Sequence, residues 1–161
     1  MNKLQSELLK LLTEDARYTP CQLSAMTGAS EEEVVSAIAE LENQGVIVKY
    51  SAIVNNEGFN VVQALIEVRV TPKKLRGFDA VAEELDNFPE VKSLYLMSGG
   101  FDIAIFVEGK TLTDISRFVS EKLSTIDGVL STATHFILKK YKIEGQVTVK
   151  SDGAERQIIH A

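Results

Sequence analysis

Few side chains in this sequence are placed to do covalent chemistry. Cys21, His135 and His160 stand far apart, and no run of His, Cys, Asp or Glu has the spacing of a metal site. No nucleophile–base pair, paired carboxylate or phosphate-binding glycine loop is legible, so the residues argue against an enzyme and ask for no cofactor. The polar residues suit recognition better. Thr19 and Ser30 each precede a Gln or Glu by three positions, Glu31, Glu32 and Glu33 form an acidic run, and Lys139-Lys140-Tyr141-Lys142 forms a basic one. Ser98-Gly99-Gly100-Phe101-Asp102 reads most simply as a tight turn, with Asp102 bonding local backbone. Cys21 falls in the first turn of a helix, where a thiol pKa is lowered; a small packed side chain is the plainer reading. His135 reads as a packed or interface histidine in mid-strand.

One cysteine excludes an internal disulfide and fits a reducing, cytoplasmic setting. No apolar run approaches the roughly 18–20 residues of a membrane span, and the first residues lack the apolar stretch of a signal peptide. Membrane partners are therefore not expected. Hydrophobic content of 45% suffices for real cores.

The elements that position the polar residues fall into two groups. Leu4, Leu8, Leu11 and Leu12 make one helical stripe. Thr19-Pro20-Cys21-Gln22 reads as a capping box with proline at the first helical position, and Leu23 and Met26 give that short helix its inner face. Gly28 supplies a sharp turn. Ser30 to Glu33 is a second capping box, opening a helix lined by Val34, Ile38 and Leu41 and stopped at Gly45. Two short capped helices across a glycine turn are the helix-turn-helix signature. Val46–Val54 reads as a strand, in the position of a wing or connector. This head spans residues 1–54, with 55–61 as a linker.

Residues 62–149 alternate strand and helix. Val62, Ala64, Ile66, Val68 and Val70 alternate at period two and stop at Thr71-Pro72. Phe78, Val81, Ala82, Leu85 and Phe88 form a helical stripe, Val91–Met97 and Asp102–Glu108 two strands, and Leu112, Ile115, Val119, Leu123 and Ile126 a second stripe. Val129–Leu138 closes the series. The order βαββαβ predicts a ferredoxin-like plait, and the fold class α+β. Phe88-Pro89-Glu90-Val91 and Ile126-Asp127-Gly128-Val129 look like equivalent strand entrances. Ile143–Val149 is expected to add an edge strand, and 150–161 to be a flexible tail. The helices of a plait cover one sheet face, yet Leu94 and Leu96 alternate with Tyr95 and Met97, and Ile103, Ile105 and Val107 with Ala104 and Phe106. Strands apolar on both faces need a second cover. A second copy is the expected one, making a dimer through sheet faces.

Taken in order, these segments resemble the Lrp/AsnC family of transcriptional regulators. Leu11–Thr19 is similar to the approach to that family's helix-turn-helix, Leu23–Ser30 to its turn, and Leu41–Ile47 to its exit. Ser98–Asp102 is similar to its G-x-[YF]-D loop, and Ser131–Leu138 to its last central strand. The resemblance runs from residue 3 to about 149. It implies an effector-responsive, DNA-binding regulator that dimerises and can assemble further into tetramers or octamers. It also implies a small effector, usually an amino acid. By position, Ser98, Gly99, Gly100 and Asp102 would frame the effector pocket, with Thr132 and Thr134 opposite. Glycine N–H groups would meet a carboxylate there and Asp102 an α-amino group.

Charge sets this chain apart from that family. Residues 1–60 hold four bases against nine acids, a net charge of -5, while the remainder carries -1. Relatives usually bring arginines on the recognition helix, whereas Glu31 to Gln44 contains no Lys or Arg. Acids at a helix N-terminus complement the macrodipole, but basic contacts to phosphate supply most non-specific affinity. DNA binding is therefore expected to be weak. The expected contacts are Thr19, Ser30, Glu31, Glu32, Val35, Ser36 and Lys49, with Lys3 and Arg17 as further compensating bases. The alternative is an oligomeric ligand-binding protein with weak or lost DNA affinity, acting through mixed oligomers with a related regulator.

Overall fold

A computed structural model of the chain describes residues 1–55, 58–71 and 77–148. Pro72, residues 56–57 of the expected linker, residue 149 and the expected tail with His160 lie outside the described residues. The chain divides into two compact units, Met1–Val54 and Asn55–Ala161.

The first unit is three helices: α1 (Lys3–Glu14), α2 (Pro20–Thr27) and α3 (Glu31–Asn43). Each begins with a reciprocal capping box, formed by Asn2 with Gln5, Thr19 with Gln22 and Ser30 with Glu33. Gly28 ends α2 with φ 77°, a backbone that only glycine adopts freely, and its N–H donates to the Ser24 carbonyl at 2.8 Å. Leu8, Leu23, Val34 and Ala37 form the core, with Leu4, Leu11, Leu12, Tyr18, Ala29 and Ile38 packed around it. Two expectations fail here. Met26 is 53% exposed and does not line the core; on an eight-residue helix, Leu23 alone fills the inward space. Val46–Val54 forms no strand, so no wing is present among the described residues. A strand needs a partner's N–H and C=O groups, and this unit contains no other strand.

The second unit is the plait: β1 (Val62–Val70), α4 (Gly77–Asp86), β2 (Val91–Leu96), β3 (Ile103–Gly109), α5 (Leu112–Glu121) and β4 (Val129–Phe136). The sheet order is β2-β3-β1-β4, and every neighbouring pair is antiparallel. Phe88 O accepts from Val91 N at 3.0 Å and Ile126 O from Val129 N at 3.1 Å, so the two strand entrances do use one turn. Ala64, Ile66, Val68 and Val70 of β1 pack with Ile103, Ile105 and Val107 of β3 against Val81, Leu85, Ile115 and Phe118 from the helices. The α5 stripe differs from expectation. Leu112 is 55% exposed, and Phe118, edge-on to Phe88 at 5.6 Å, is buried in its place. Thr111 caps the helix, which leaves Leu112 at the first helical position, outside the helix–sheet contact.

Residues after β4 also depart from expectation. They form a small hairpin of β5 (Lys142–Ile143) and β6 (Gln146–Val147), a sheet of its own rather than an edge strand. Ile137 and Ile143 line a cavity with Tyr95 and Phe106. The chain therefore covers part of the outer sheet face itself.

Phe118→Ala should lower stability by about 3–5 kcal/mol, as for other buried aromatics. Leu112→Ala should stay within ~1 kcal/mol, and urea unfolding of the two variants compares them directly.

Candidate DNA-binding and effector sites

The capping boxes decide where the acids of α3 go. The Ser30 hydroxyl donates to Glu33 Oε2 at 2.9 Å and accepts from Glu33 N at 3.3 Å, while Ser30 N donates to the same carboxylate at 2.8 Å. These bonds hold the Glu33 carboxyl below the usual range. Gln5 is buried, and its Nε2 reaches Glu40 Oε2 at 2.9 Å, tying α1 to α3. The Tyr50 hydroxyl donates to Glu42 Oε1 at 2.9 Å, and burial together with that carboxylate raises its pKa. Cys21 is exposed and hydrogen-bonded to Glu31, which raises the thiol pKa. That corrects both sequence readings of Cys21, since the thiol is neither packed nor acidified. Among the described residues Glu32 has no such partner. Four of five α3 carboxylates thus rest on neutral donors.

The expected DNA residues divide by what they are free to do. Thr19 and Ser30 are exposed, yet their oxygens already serve the caps. Glu32, Val35 and Ser36 face outward from α3, and Lys49 is exposed beyond it. Of the other bases, Arg17 is held by Asp15 through Nη2–Oδ2 at 2.7 Å and Nε–Oδ1 at 2.9 Å. The Arg17 hydrogen bonds bring the Asp15 pKa down to about 2. Lys3 lies 3.7 Å from Glu7 on open surface, a pair of little energetic weight. A groove of about 450 Å³ in this unit is lined by Leu9, Leu12, Ala16, Val46, Val48 and Tyr50. Val48 is 86% exposed.

In the plait, Ser98, Gly99 and Gly100 form an exposed turn between β2 and β3. Gly99 has φ 151°, and a Cβ there would meet nothing within 4 Å, so the constraint is on its backbone, not on space. The Asp102 side chain does not bond the turn's own backbone. Its Oδ2 accepts from Val70 N at 2.8 Å, its N–H donates to Val68 O at 3.0 Å, and its carbonyl accepts from Met97 N at 2.8 Å. Asp102 therefore fastens the turn to the end of β1, where the β1–β4 register shifts. Thr132 pairs with Val68 and Thr134 with Ile66, which places both hydroxyls, half-buried, on the helix side of edge strand β4. Asp102 and Thr132 flank one end of β1 with a single strand between them, about 10 Å at ordinary strand spacing. Thr134 lies one pair farther along.

The sequence reading missed a cavity at the opposite end of the sheet, on its outer face. It encloses about 310 Å³ over an edge-to-face pair of Tyr95 and Phe106, with Gln63, Lys140, Ile143 and Glu144 around it. Its only sequence signal was the apolar alternation of β2 and β3. On the same face His135 Nε2 lies 3.4 Å from Glu67 Oε1 across β1 and β4, a partner that pairing supplies and sequence distance hides. Lys139 sits 5.5 Å over the Tyr141 ring. Among the described residues no cluster of His, Cys, Asp or Glu could hold a metal ion, and no helix is long and apolar enough to cross a membrane.

Residues 63–147 match the family model of the Lrp/AsnC ligand binding domain. The chain is 43% identical over 162 residues to YugG of Bacillus subtilis, an uncharacterized HTH-type transcriptional regulator, covering 99% of this chain and 98% of that protein. It is 33% identical over 137 residues to the HTH-type transcriptional regulator LrpA of Pyrococcus horikoshii, covering 84% and 94%. A Neisseria meningitidis transcriptional regulator solved as its L-Met complex superposes with TM-score 0.71 at 26% identity, over 89% of this chain and 93% of that one. The leucine response regulatory protein of Mycobacterium tuberculosis shares the fold with TM-score 0.77 at 23% identity, over 92% and 100%.

Releasing Arg17 should matter more to DNA than to folding, because its side chain is 89% exposed and an ion pair at the surface adds little stability. Asp15→Asn should strengthen binding to arbitrary duplex DNA several-fold at low salt. Fluorescence anisotropy with a labelled duplex measures it.

Proposed function

The chain belongs to the Lrp/AsnC family of transcriptional regulators, and we propose that it meets DNA through α3 and an amino-acid effector through the 98–102 turn. It is an effector-responsive DNA-binding regulator; its relatives are regulators too, and we assign this chain no catalytic role. The observation that carries the DNA half is the outward face of α3 behind the capped Gly28 turn. There Glu32, Val35 and Ser36 are exposed while Val34, Ala37 and Leu41 are buried. Thr19, Ser30 and Glu31 support that face through caps and the Cys21 contact, and Lys49 supplies an exposed cation in the same unit.

For the effector half, the Neisseria relative's L-Met complex suggests an amino acid. Gly99 and Gly100 would offer N–H groups to its carboxylate, and Ser98 a hydroxyl. Asp102 would turn its second oxygen to the ammonium group, since the first is committed to Val70. Thr132 and Thr134 would complete the far side. Binding would compete with, or tighten, the fastening of the turn to β1, which gives the effector a mechanical handle on the sheet.

The working form is a homodimer, with tetramers or octamers built from it, in the cytoplasm. Two exposed features support assembly. The outer sheet face leaves Tyr95 52% and Phe106 37% exposed, and the unpaired Val46–Val54 segment leaves Val48, Tyr50, Ile53 and Val54 open. The acidic head, with Arg17 already paired, also supports a second reading in which mixed oligomers with a basic relative carry the DNA affinity.

Two measurements test this. Light scattering at micromolar concentration should give at least twice 17.7 kDa; a folded monomer would contradict the assembly. A thermal-shift panel of the twenty amino acids at millimolar levels should find a stabilising ligand. Asp102→Asn keeps an acceptor for Val70 N but removes the charge, so it should leave the unliganded melting temperature nearly unchanged and abolish the ligand-induced rise. An unchanged ligand response in that variant would remove Asp102 from the site.

A further inference from the structure

The carboxylates of α3 are not equivalent, and the difference points to how the helix reads bases. The buried residues Val34, Ala37 and Leu41 define its inward side. At 3.6 residues per turn the opposite side ends on Asn43 in the last turn and, ahead of it, carries Glu32, Ser36 and Ala39, with Val35 beside them. All five are exposed, Val35 by 51%. Glu31, Glu33, Glu40 and Glu42 lie on the flanks, and each is drawn aside by Cys21, Ser30, Gln5 or Tyr50. Glu32 alone stands without a partner among the described residues, at the centre of the outward stripe.

Ahead of Asn43, a stripe of one free carboxylate, one hydroxyl and two small apolar side chains has a defined chemistry in a major groove. A carboxylate accepts hydrogen bonds and cannot donate, so it suits the cytosine N4 amino group and is repelled by guanine O6 and N7. Small apolar groups suit the thymine 5-methyl. The arginine–guanine contact, the commonest specific one, is absent from this helix. Resting on the reading that α3 enters the major groove, we propose that it selects a pyrimidine-rich strand. Glu32 accepts from cytosine N4, and Val35 with Ala39 covers a neighbouring thymine methyl. Ser36, able to donate or accept, adapts to the base between them. With four flanking acids held on neutral donors, the one carboxylate facing the bases is the one that can be used there.

Selection from a random duplex pool at low salt, with the full-length protein, tests this. Wild type should enrich sites with adjacent cytosine and thymine on one strand. Glu32→Gln should move the cytosine position to adenine, since a carboxamide pairs bidentately with adenine N6 and N7. Replacing the selected thymine by uracil should weaken wild type about fourfold, the effect of one methyl-sized apolar contact, and weaken Val35→Ala by a smaller factor. Both side chains are exposed, so neither change touches the core. Sites rich in guanine on both strands, a cytosine preference that survives Glu32→Gln, or indifference to the methyl would each overturn the inference while leaving DNA binding intact. Recovery of no duplex at all would overturn the DNA-binding assignment of α3 as well.

Discussion

Five carboxylates and no cation on one thirteen-residue helix form the constraint on which the head depends. The helix tolerates them because its first turn welcomes negative charge and because neutral donors are placed to receive them. Ser30 closes on Glu33 and fixes where α3 begins, Gln5 reaches from α1 to Glu40, and Tyr50 returns from beyond the helix to Glu42. These contacts set the orientation of α3 on α1 and the path of the chain after Gly45. None neutralises a charge. The head thus remains acidic on a surface that must approach a polyanion, and affinity has to come from sources other than a basic recognition helix.

In the plait, Asp102 plays the corresponding part. One carboxylate oxygen closes the β2–β3 turn onto Val70 at the end of β1, so the turn is held by one of the two inner strands of the sheet. An effector that engages the same carboxylate acts on the backbone of β1, whose other edge carries β4 and whose outward side chains Leu65 and Glu67 belong to the exposed face. Ligand and assembly are coupled in this account because they share that strand. In the proposed dimer, multivalency would offset a weak single head, since two linked heads can bind neighbouring half-sites as one event.

Much of this was legible in the residues. The caps at Thr19 and Ser30, the Gly28 turn and the βαββαβ order are local patterns, and local hydrogen bonding and periodicity determine them. The helix-turn-helix and plait follow in sequence order. The misreadings came where tertiary context decides. Val46–Val54 has strand composition but no neighbour to pair with inside its unit. Met26 and Leu112 are apolar residues at helical spacing that the packing leaves out, and Phe118 took the buried place because it meets Phe88. Asp102 looked like a turn residue bonding its own neighbourhood, whereas its partner lies thirty-two positions earlier in the chain. The tie-backs of Glu31, Glu40 and Glu42 join residues eight to thirty-five apart, a range over which a single sequence carries no pairing signal.

An acidic head with few free cations can neutralise little phosphate, and the salt dependence of binding measures how much. Lys10 and Lys49 are the head cations without a carboxylate partner among the described residues, and each phosphate neutralised contributes about -0.9 to the slope of log K against log salt. Titrating wild-type protein onto a selected duplex over a range of salt concentrations should give a slope no steeper than about -2 per head. A slope of about -5 or steeper per head would mean that far more phosphates are neutralised than Lys10 and Lys49 can reach, and would overturn this reading.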